Sequence, residues 1–353
     1  MENDVLGFYK GKSVLLTGHT GFKGSWLSTM LVSAGAKVTG FSSYSQKDIS
    51  LLELSGVGND MICLKGDIRD YGALKKVFDS AKPEIVFHLA AQPIVLESYR
   101  RPLDTYETNV MGTVNLLECI RHTDSVRSVL NVTTDKVYKN NEWAWGYREN
   151  EPLDGFDPYS NSKSCSELVT HSYVSSFFCD SGVAVSTARA GNVIGGGDFS
   201  ANRIIPDCVR AVQVGTALEV RNPFSIRPYQ HVLEPLFAYL MIAENQEKDK
   251  ASSGWYNVGP DECDCVTTGE LVQLFAECWG NGFSWVDKSV PGAFHEANFL
   301  KLDCSKIKSA LGWKPRWHIT DAVQKTTEWT KAWLAKENVA PVMLKQIEEY
   351  RSV

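Results

Sequence analysis

SVLLTGHTGFKGSWL, residues Ser13–Leu27, is the stretch on which the fold turns. Ser13–Thr17 is a short apolar run of strand length. Gly18, Gly21 and Gly24 follow at a spacing of three, and an amphipathic segment, Ser25–Ala34, ends at Gly35. Placed between a strand and a helix, each glycine has a mechanical use. The first permits a tight turn, the second lets backbone approach a pyrophosphate, and the third lets the helix pack on the strand. The helix start then offers free N–H groups and its dipole to a phosphate. A glycine triplet alone recurs by chance in turns; its setting after an apolar strand gives it weight.

Working outward, the same rhythm repeats. Strands are expected at Lys37–Phe41, Met61–Lys65, Glu84–Leu89, Ser128–Thr133 and Ala184–Arg189, with helices at Tyr71–Ser80, about Pro102–His122 and about Asp157–Cys179. EIVFHL at Glu84–Leu89 is apolar almost without a break, as a parallel strand buried on both faces should be. This predicts a doubly wound parallel α/β sheet with its ligand at the carboxyl ends of the strands. After Arg189 the pattern shortens: Gly195–Gly197, RNPFSIRPYQ from Arg221, a strand-like Tyr256–Gly259 and a helix Gly269–Trp279. The expected division is a dinucleotide-binding domain over 1–190 and a smaller α+β substrate lobe over 191–353, with about 228–260 returning to the first domain.

Bulk composition agrees. The chain has 353 residues, 43% hydrophobic and 22% charged, the balance of a globular protein with a sizeable core. A net charge of −6 argues against a general nucleic-acid binder. The start, MENDVLGFYKGK, carries no apolar run of signal-peptide length, and no later stretch reaches membrane-spanning length. Nine cysteines are scattered from Cys63 to Cys304, and Cys263 with Cys265 make a poor zinc pair. Reduced thiols, no metal site and a cytoplasmic setting are the expectation.

Tyr159 and Lys163, in DPYSNSK, are four residues apart and so share one helix face. An ammonium beside a phenol favours the phenolate, which lets Tyr159 take a proton from a sugar hydroxyl near neutral pH. Removing that proton is what an alcohol needs as a nicotinamide cofactor takes its hydride. Thr134, Asp135 and Lys136 follow the strand Ser128–Thr133, at the edge where the nicotinamide is expected. The Thr134 hydroxyl can bond the same sugar oxygen, while Asp135 and Lys136 add a second donor and acceptor. Read alone, TTDK is a plain turn with a solvated Asp–Lys pair. The glycine loop, Thr134 and the Tyr–Lys helix in order give it chemical meaning.

The cofactor reading favours NAD over NADP. An acid often caps the second strand of an NAD site, yet here Phe41-Ser42-Ser43-Tyr44 reaches no carboxylate before Asp48, and Lys47 is the nearby cation. Asp67-Ile68, after the third strand, can hold the adenine edge, or Asp67 simply caps a helix. His19 is bulky for a residue beside a pyrophosphate, which predicts modest cofactor affinity.

TGHTGFKG, HLAAQ (His88–Gln92), TNVMGTVNLLE (Thr108–Glu118), TTDKVY, PYSNSK, RAGNVIGGGD (Arg189–Asp198) and LGWKP (Leu311–Pro315) occur in that order. Together they resemble the extended short-chain dehydrogenase/reductase superfamily and its nucleotide-sugar 4,6-dehydratases, from about Gly11 to Trp317. GHTGFKGSWL, TDK in place of the commoner Thr-Asp-Glu, and RPYQHVLEP (Arg227–Pro235) are similar to the branch acting on CDP-glucose. The resemblance implies a Rossmann-type sheet, bound NAD, and hydro-lyase chemistry. In it Tyr159 takes the C4 hydroxyl proton as the C4 hydride leaves, water is lost across C5 and C6, and the hydride returns to C6. Cofactor contacts carried over are Gly18, His19, Gly21, Phe22, Gly24, Asp67, Ile68, Leu89, Ala90 and Ala91, with Tyr159 and Lys163.

Relatives usually have a Glu where Lys136 stands. Asp135 is assigned as acid for the C6 oxygen and Lys136 as base at C5; reversed roles, or Lys136 as electrostatic support for the enolate, stay open. A lysine base must be neutral, which burial or a nearby cation can achieve. On the substrate side, Asn192, Arg203 and Arg227 are placed to hold a diphosphate, and Arg221-Asn222 to lie near the base or ribose. His295-Glu296 is similar to a late substrate-lobe position. Gln92 and Glu97 can reach the hexose or serve structure. The superfamily's helix pair implies a homodimer or homotetramer, and the branch implies a lipopolysaccharide or dideoxysugar route. The rival readings are a nucleotide-sugar 4-epimerase, a nucleotide-sugar decarboxylase and a non-catalytic cofactor sensor.

Overall fold

Four of the five residues in Ser13–Thr17 are fully buried, and this strand (β1) lies in the interior of the main sheet. The computed structural model describes residues 4–43, 49–289 and 299–353; the expectations on Tyr44, Lys47, Asp48, His295 and Glu296 lie outside the described residues. The remaining strands of the sheet are Lys37–Ser42 (β2), Ile62–Lys65 (β3), Ile85–His88 (β4), Ser128–Thr134 (β5), Ala184–Ala190 (β6) and Trp255–Val258 (β7). All pairs are parallel, in the order β3-β2-β1-β4-β5-β6-β7. The chain runs outward to β3 and then crosses to β4 on the other side of β1. That reversal opens a crevice beyond the carboxyl ends of β1 and β4, where ligands bind in such sheets.

Each face of the sheet has its own apolar layer. On one, Trp26, Leu27 and Met30 of helix Phe22–Ser33 pack with Leu236 and Leu240 of helix Leu233–Lys248 and with Trp329, Ile347 and Tyr350 of the tail. On the other, Leu74 and Phe78 of helix Tyr71–Ala81 meet Leu116, Ile120 and Phe178. Trp26 is wholly buried and also donates its indole N–H to the Gly196 carbonyl at 2.9 Å. Truncating such a side chain to alanine costs about 3–5 kcal/mol.

Three element boundaries differ from the sequence expectation, each for a packing reason. The first helix begins at Phe22, not Ser25, so Gly24 lies inside its first turn. Intrinsic propensity disfavours glycine there, but a Cβ at Gly24 would collide with the Gly18 carbonyl oxygen. The long helix expected from Pro102 is broken into Pro102–Tyr106, a π turn Glu107–Met111, and Gly112–Arg121. The π turn lets the Asn109 amide bond the Gln92 carbonyl (3.1 Å) and the Ser162 hydroxyl (2.9 Å). The Tyr–Lys helix runs Pro158–Tyr173 and continues as a π turn Val174–Phe178, with Asp157 capping it through the Ser160 N–H at 3.0 Å.

The smaller lobe gathers helices Ile204–Val214, Thr268–Trp279 and Ile319–Leu334 around Ile205, Cys208, Leu271, Phe275 and Val323. Among the described residues its strands occur only as short pairs, such as Leu218–Val220 with Trp285–Asp287. Helix Leu233–Lys248 lies on the main sheet, where Ser128 Oγ donates to the Ala243 carbonyl (2.8 Å) and Gln246 Nε2 to the Val129 carbonyl (2.9 Å). All nine cysteines are free thiols. Among the described residues no helix is long and apolar enough to cross a membrane.

Candidate active site

The glycine loop forms one wall of the crevice. Gly18 has φ +77°, and a Cβ there would stand 2.7 Å from the Ala90 backbone nitrogen. Only glycine brings this loop so close to the end of β4. Gly21 caps the first helix without a side chain, leaving the first-turn N–H groups of Phe22–Ser33 available to a phosphate. This cradle fits a dinucleotide diphosphate. Leu89–Ala91 run beside it, tied by the Leu89 N–H to the Thr17 carbonyl (3.1 Å) and the Ala90 N–H to Thr17 Oγ1 (3.3 Å).

His19 departs from expectation. Its ring is fully buried and lies against Gly40 of β2, where any Cβ would strike it, so its bulk points into the sheet. Burial holds its pKa down to about 4, leaving it neutral at physiological pH. Asp67 grips Arg69 through both carboxylate oxygens, Nη2 to Oδ2 at 2.6 Å, which draws its pKa below the usual range. Ile68 is buried against Gly112.

The opposite wall is built by β5 and the Tyr–Lys helix. Thr134 Oγ1 donates to Asp135 Oδ1 at 2.9 Å and lies beside the Tyr159 phenol, whose pKa it lowers. Asp135 is 1% exposed, and its Oδ2 has no hydrogen-bond partner among the described residues. Burial raises its pKa, while Lys136, Thr134 and Arg227 pull the other way. Lys136 is half-buried, with its N–H on Thr134 Oγ1 at 3.4 Å.

The Tyr–Lys pair does not behave as the spacing predicts. Lys163 Nζ donates to the Val132 carbonyl at 3.0 Å, and burial lowers its pKa to about 8. The Tyr159 phenol is pushed up to about 12, chiefly by burial, with Thr134 and Arg203 acting against the shift and Asp135 adding to it. Desolvation of the phenolate outweighs the nearby positive charge.

What anchors this helix went unread in the sequence. Glu167 continues the Tyr159–Lys163 stripe by another turn and is fully buried in a 2.9 Å ion pair with Arg189 of β6. Thr187 Oγ1 donates to the same carboxylate at 2.7 Å, and Thr133 also bonds it. Burial alone would raise the Glu167 pKa, but Arg189, His171 and Thr133 hold it at about 2. The helix is thereby pinned to both β5 and β6. The i+4 spacing from Lys163 was the available signal.

The lobe contributes unevenly. Arg227 is buried and acts on Asp135; Arg203 pairs with Asp198 at 2.9 Å and acts on Tyr159. Asn192 is half-buried, and its carbonyl accepts the Gln230 N–H at 3.0 Å. Arg221 is exposed on the loop after Leu218–Val220. Gln92 is committed to structure: its amide bonds Thr105 (2.9 Å) and the Ile94 carbonyl (3.2 Å), and its carbonyl accepts the Ile94 N–H (2.6 Å). His295 lies outside the described residues. A separate cavity of about 830 Å³, lined by Arg148, Leu168, His171, Trp255 and Lys306, contains none of the predicted catalytic residues. Cys263, Asp264 and His318 offer donor atoms within 4.8 Å of one another, but Asp264 already bonds His318 Nδ1 and the Ile319 N–H, both at 2.9 Å.

A glycine cradle at the β1–β4 switch point, facing a Thr–Tyr–Lys set on β5 and the next helix, defines an extended short-chain dehydrogenase/reductase. More narrowly, the chain belongs to the GDP-mannose 4,6 dehydratase family, whose model matches residues 15–326. It is 46% identical over 354 residues to the CDP-glucose 4,6-dehydratase of Salmonella typhimurium, covering 98% of each chain. Among solved structures it resembles a dTDP-glucose 4,6-dehydratase from Bacillus anthracis in complex with NAD (TM-score 0.77, 21% identity, 94% of this chain and 100% of that one). It also resembles a UDP-glucose-4-epimerase from Stenotrophomonas maltophila with bound NAD (TM-score 0.81, 22% identity, 92% and 99%). Those two likenesses speak to the fold.

Proposed function

We propose that this protein is a hydro-lyase converting CDP-glucose to CDP-4-dehydro-6-deoxyglucose, with NAD retained through the turnover. The observation that carries the reading is Asp135, a buried carboxyl bonded to Thr134 beside Tyr159. It gives the cleft a second acid–base group next to the one that oxidation needs. A 4-epimerase has no use for it. The choice of CDP-glucose is supported by the 46% identity to a CDP-glucose 4,6-dehydratase over 98% of the chain.

The roles follow from position. Thr134 turns its hydroxyl proton from Asp135 to the C4 oxygen while Tyr159 takes the C4 hydroxyl proton. Bound NAD would supply the acceptor for the C4 hydride and its donor to C6, and its positively charged ring would favour the phenolate. Gly18, Gly21 and the first-turn N–H groups from Phe22 hold its diphosphate, and Lys163 adds charge behind the phenol. The C4 ketone makes the C5 proton acidic, and Lys136 takes it. Asp135, whose pKa burial raises, gives a proton to the departing C6 oxygen. Arg203, Arg227 and Asn192 hold the substrate diphosphate. A homodimer on the helices within 102–121 and 158–178 belongs to the same reading, supported by the exposed Leu103, Met111, Leu168 and Phe177.

The test is to incubate the protein with catalytic NAD and CDP-, UDP-, dTDP- or GDP-glucose, add alkali, and record the ultraviolet band of 4-keto-6-deoxy sugars. A band with CDP-glucose alone supports the reading. C4 epimers with no such band would overturn it.

A further inference from the structure

A mixed set of donor atoms joins two elements of the smaller lobe. Cys263 and Asp264 stand in the helical turn Glu262–Asp264, and His318 precedes the helix Ile319–Leu334. Cys263 Sγ donates to Asp264 Oδ2 at 3.6 Å, and His318 Nδ1 meets the same oxygen at 2.9 Å. One carboxylate oxygen thus stands between a thiol and an imidazole. The three donor atoms all lie within 4.8 Å of one another. The other oxygen, Asp264 Oδ1, accepts the Ile319 N–H at 2.9 Å, which holds the carboxylate in orientation.

These separations are close to those between the ligands of one metal ion. Bonds of about 2.3 Å to sulfur and about 2.0–2.2 Å to nitrogen and oxygen put tetrahedral ligands about 3.4–3.6 Å apart. Sγ and Oδ2 already stand 3.6 Å apart, and Nδ1 has to withdraw from Oδ2 by about 0.5 Å. Cys263 is exposed and the His318 side chain is 69% exposed, so both can move, while Asp264 is buried and fixed. The setting is acidic, with Asp261 and Asp321 within charge reach of His318. Nearby cations are committed elsewhere, Lys308 to Asp261 and Lys301 to Glu262. A thiolate, an imidazole and one carboxylate form a set that suits zinc rather than calcium or magnesium. Cys265 is turned away, its thiol on the Asp261 carbonyl at 3.8 Å, which leaves the fourth position to solvent.

We propose that Cys263, Asp264 and His318 form a zinc site that staples the turn Glu262–Asp264 to the start of Ile319–Leu334. On binding, the Cys263 thiol gives its proton to solvent, and His318 presents an unprotonated Nδ1 with its proton on Nε2. The ion takes the place of the two protons that now face Asp264 Oδ2, so neither donor is left without a partner. The staple bears on the substrate side of the lobe. Strand Val266–Thr267 follows the turn and pairs with Ile226–Arg227, Val266 opposite Arg227. An occupied site therefore steadies the strand that carries Arg227. The site stands independently of the hydro-lyase reading.

The test titrates the reduced, tag-free protein with Co²⁺. A thiolate ligand gives a near-ultraviolet charge-transfer band, and tetrahedral geometry gives intense visible bands. Both should saturate at one equivalent in the micromolar range and disappear when Zn²⁺ displaces the cobalt. Variants are compared after circular dichroism has confirmed their fold. Cys263→Ser should remove the charge-transfer band, and Cys263→His should keep the visible bands without it. His318→Gln should weaken binding by at least about tenfold. Cys265→Ser and Cys179→Ser should leave the spectra unchanged. Zn²⁺ should raise the melting temperature of the unaltered protein but not of Cys263→Ser. Absence of the charge-transfer band, its persistence in Cys263→Ser, or its loss in Cys265→Ser would overturn the inference.

Discussion

Replacing Glu167 with glutamine should destabilise the protein by about 3–5 kcal/mol, the usual cost of leaving one member of a buried ion pair uncompensated. The stranded group is Arg189, fully buried in β6, with its Nη2 2.9 Å from the carboxylate. Proton linkage gives a similar figure. A carboxyl held at about 2 against an ordinary 4.5 differs by about 2.5 pKa units, or about 3 kcal/mol. The folded pKa is depressed, so this stability is fully present above about pH 4.5 and is lost as pH falls toward 2. At about 2.1 cal/mol/K of unfolding entropy per residue, 353 residues convert 3–5 kcal/mol to about 4–7 °C in melting temperature. The assay is thermal melting of Glu167→Gln, Arg189→Met and the double variant at neutral pH and at about pH 3. The double variant should lose less than the sum of the singles, because it removes both charges. A single variant melting within 1 °C of the unaltered protein would refute the claim that this pair pins the Tyr–Lys helix.

Three further outcomes follow from the site. Tyr159→Phe removes the proton acceptor for C4 oxidation and should lower turnover by about 10²–10⁴-fold, with nucleotide-sugar binding nearly unchanged by calorimetry. Asp135→Asn should spare C4 oxidation but slow elimination by a similar factor, so absorbance of reduced nicotinamide builds up on adding CDP-glucose; no build-up would contradict its role as acid. Arg227→Met removes a charge that holds the Asp135 pKa down. Since elimination needs the protonated carboxyl and fades as pH rises through its pKa, that limb should move to higher pH in pH–rate profiles.

The parallel sheet was legible because buried strands such as Ile85–His88 carry unbroken apolar runs and the glycine spacing marks the first turn. Helix starts were less so. Gly24 looks like loop by propensity, and only its contact with Gly18 puts it in the helix. Tyr159, Lys163, Thr134 and Asp135 were readable from spacing and order, and the structure brings them together. Sequence spacing did not reveal desolvation, which sets the Tyr159 phenol near 12 rather than near neutrality. Gln92 illustrates the opposite case: a polar residue near the motif whose side chain is fully engaged by Ile94 and Thr105.

The most direct test of the central claim uses CDP-glucose carrying deuterium at C4, converted in the presence of unlabelled NAD, with the product read by NMR and mass spectrometry. The account predicts that the label moves to C6 of the same molecule. Label lost to the cofactor pool or to water, or retained at an inverted C4, would contradict it.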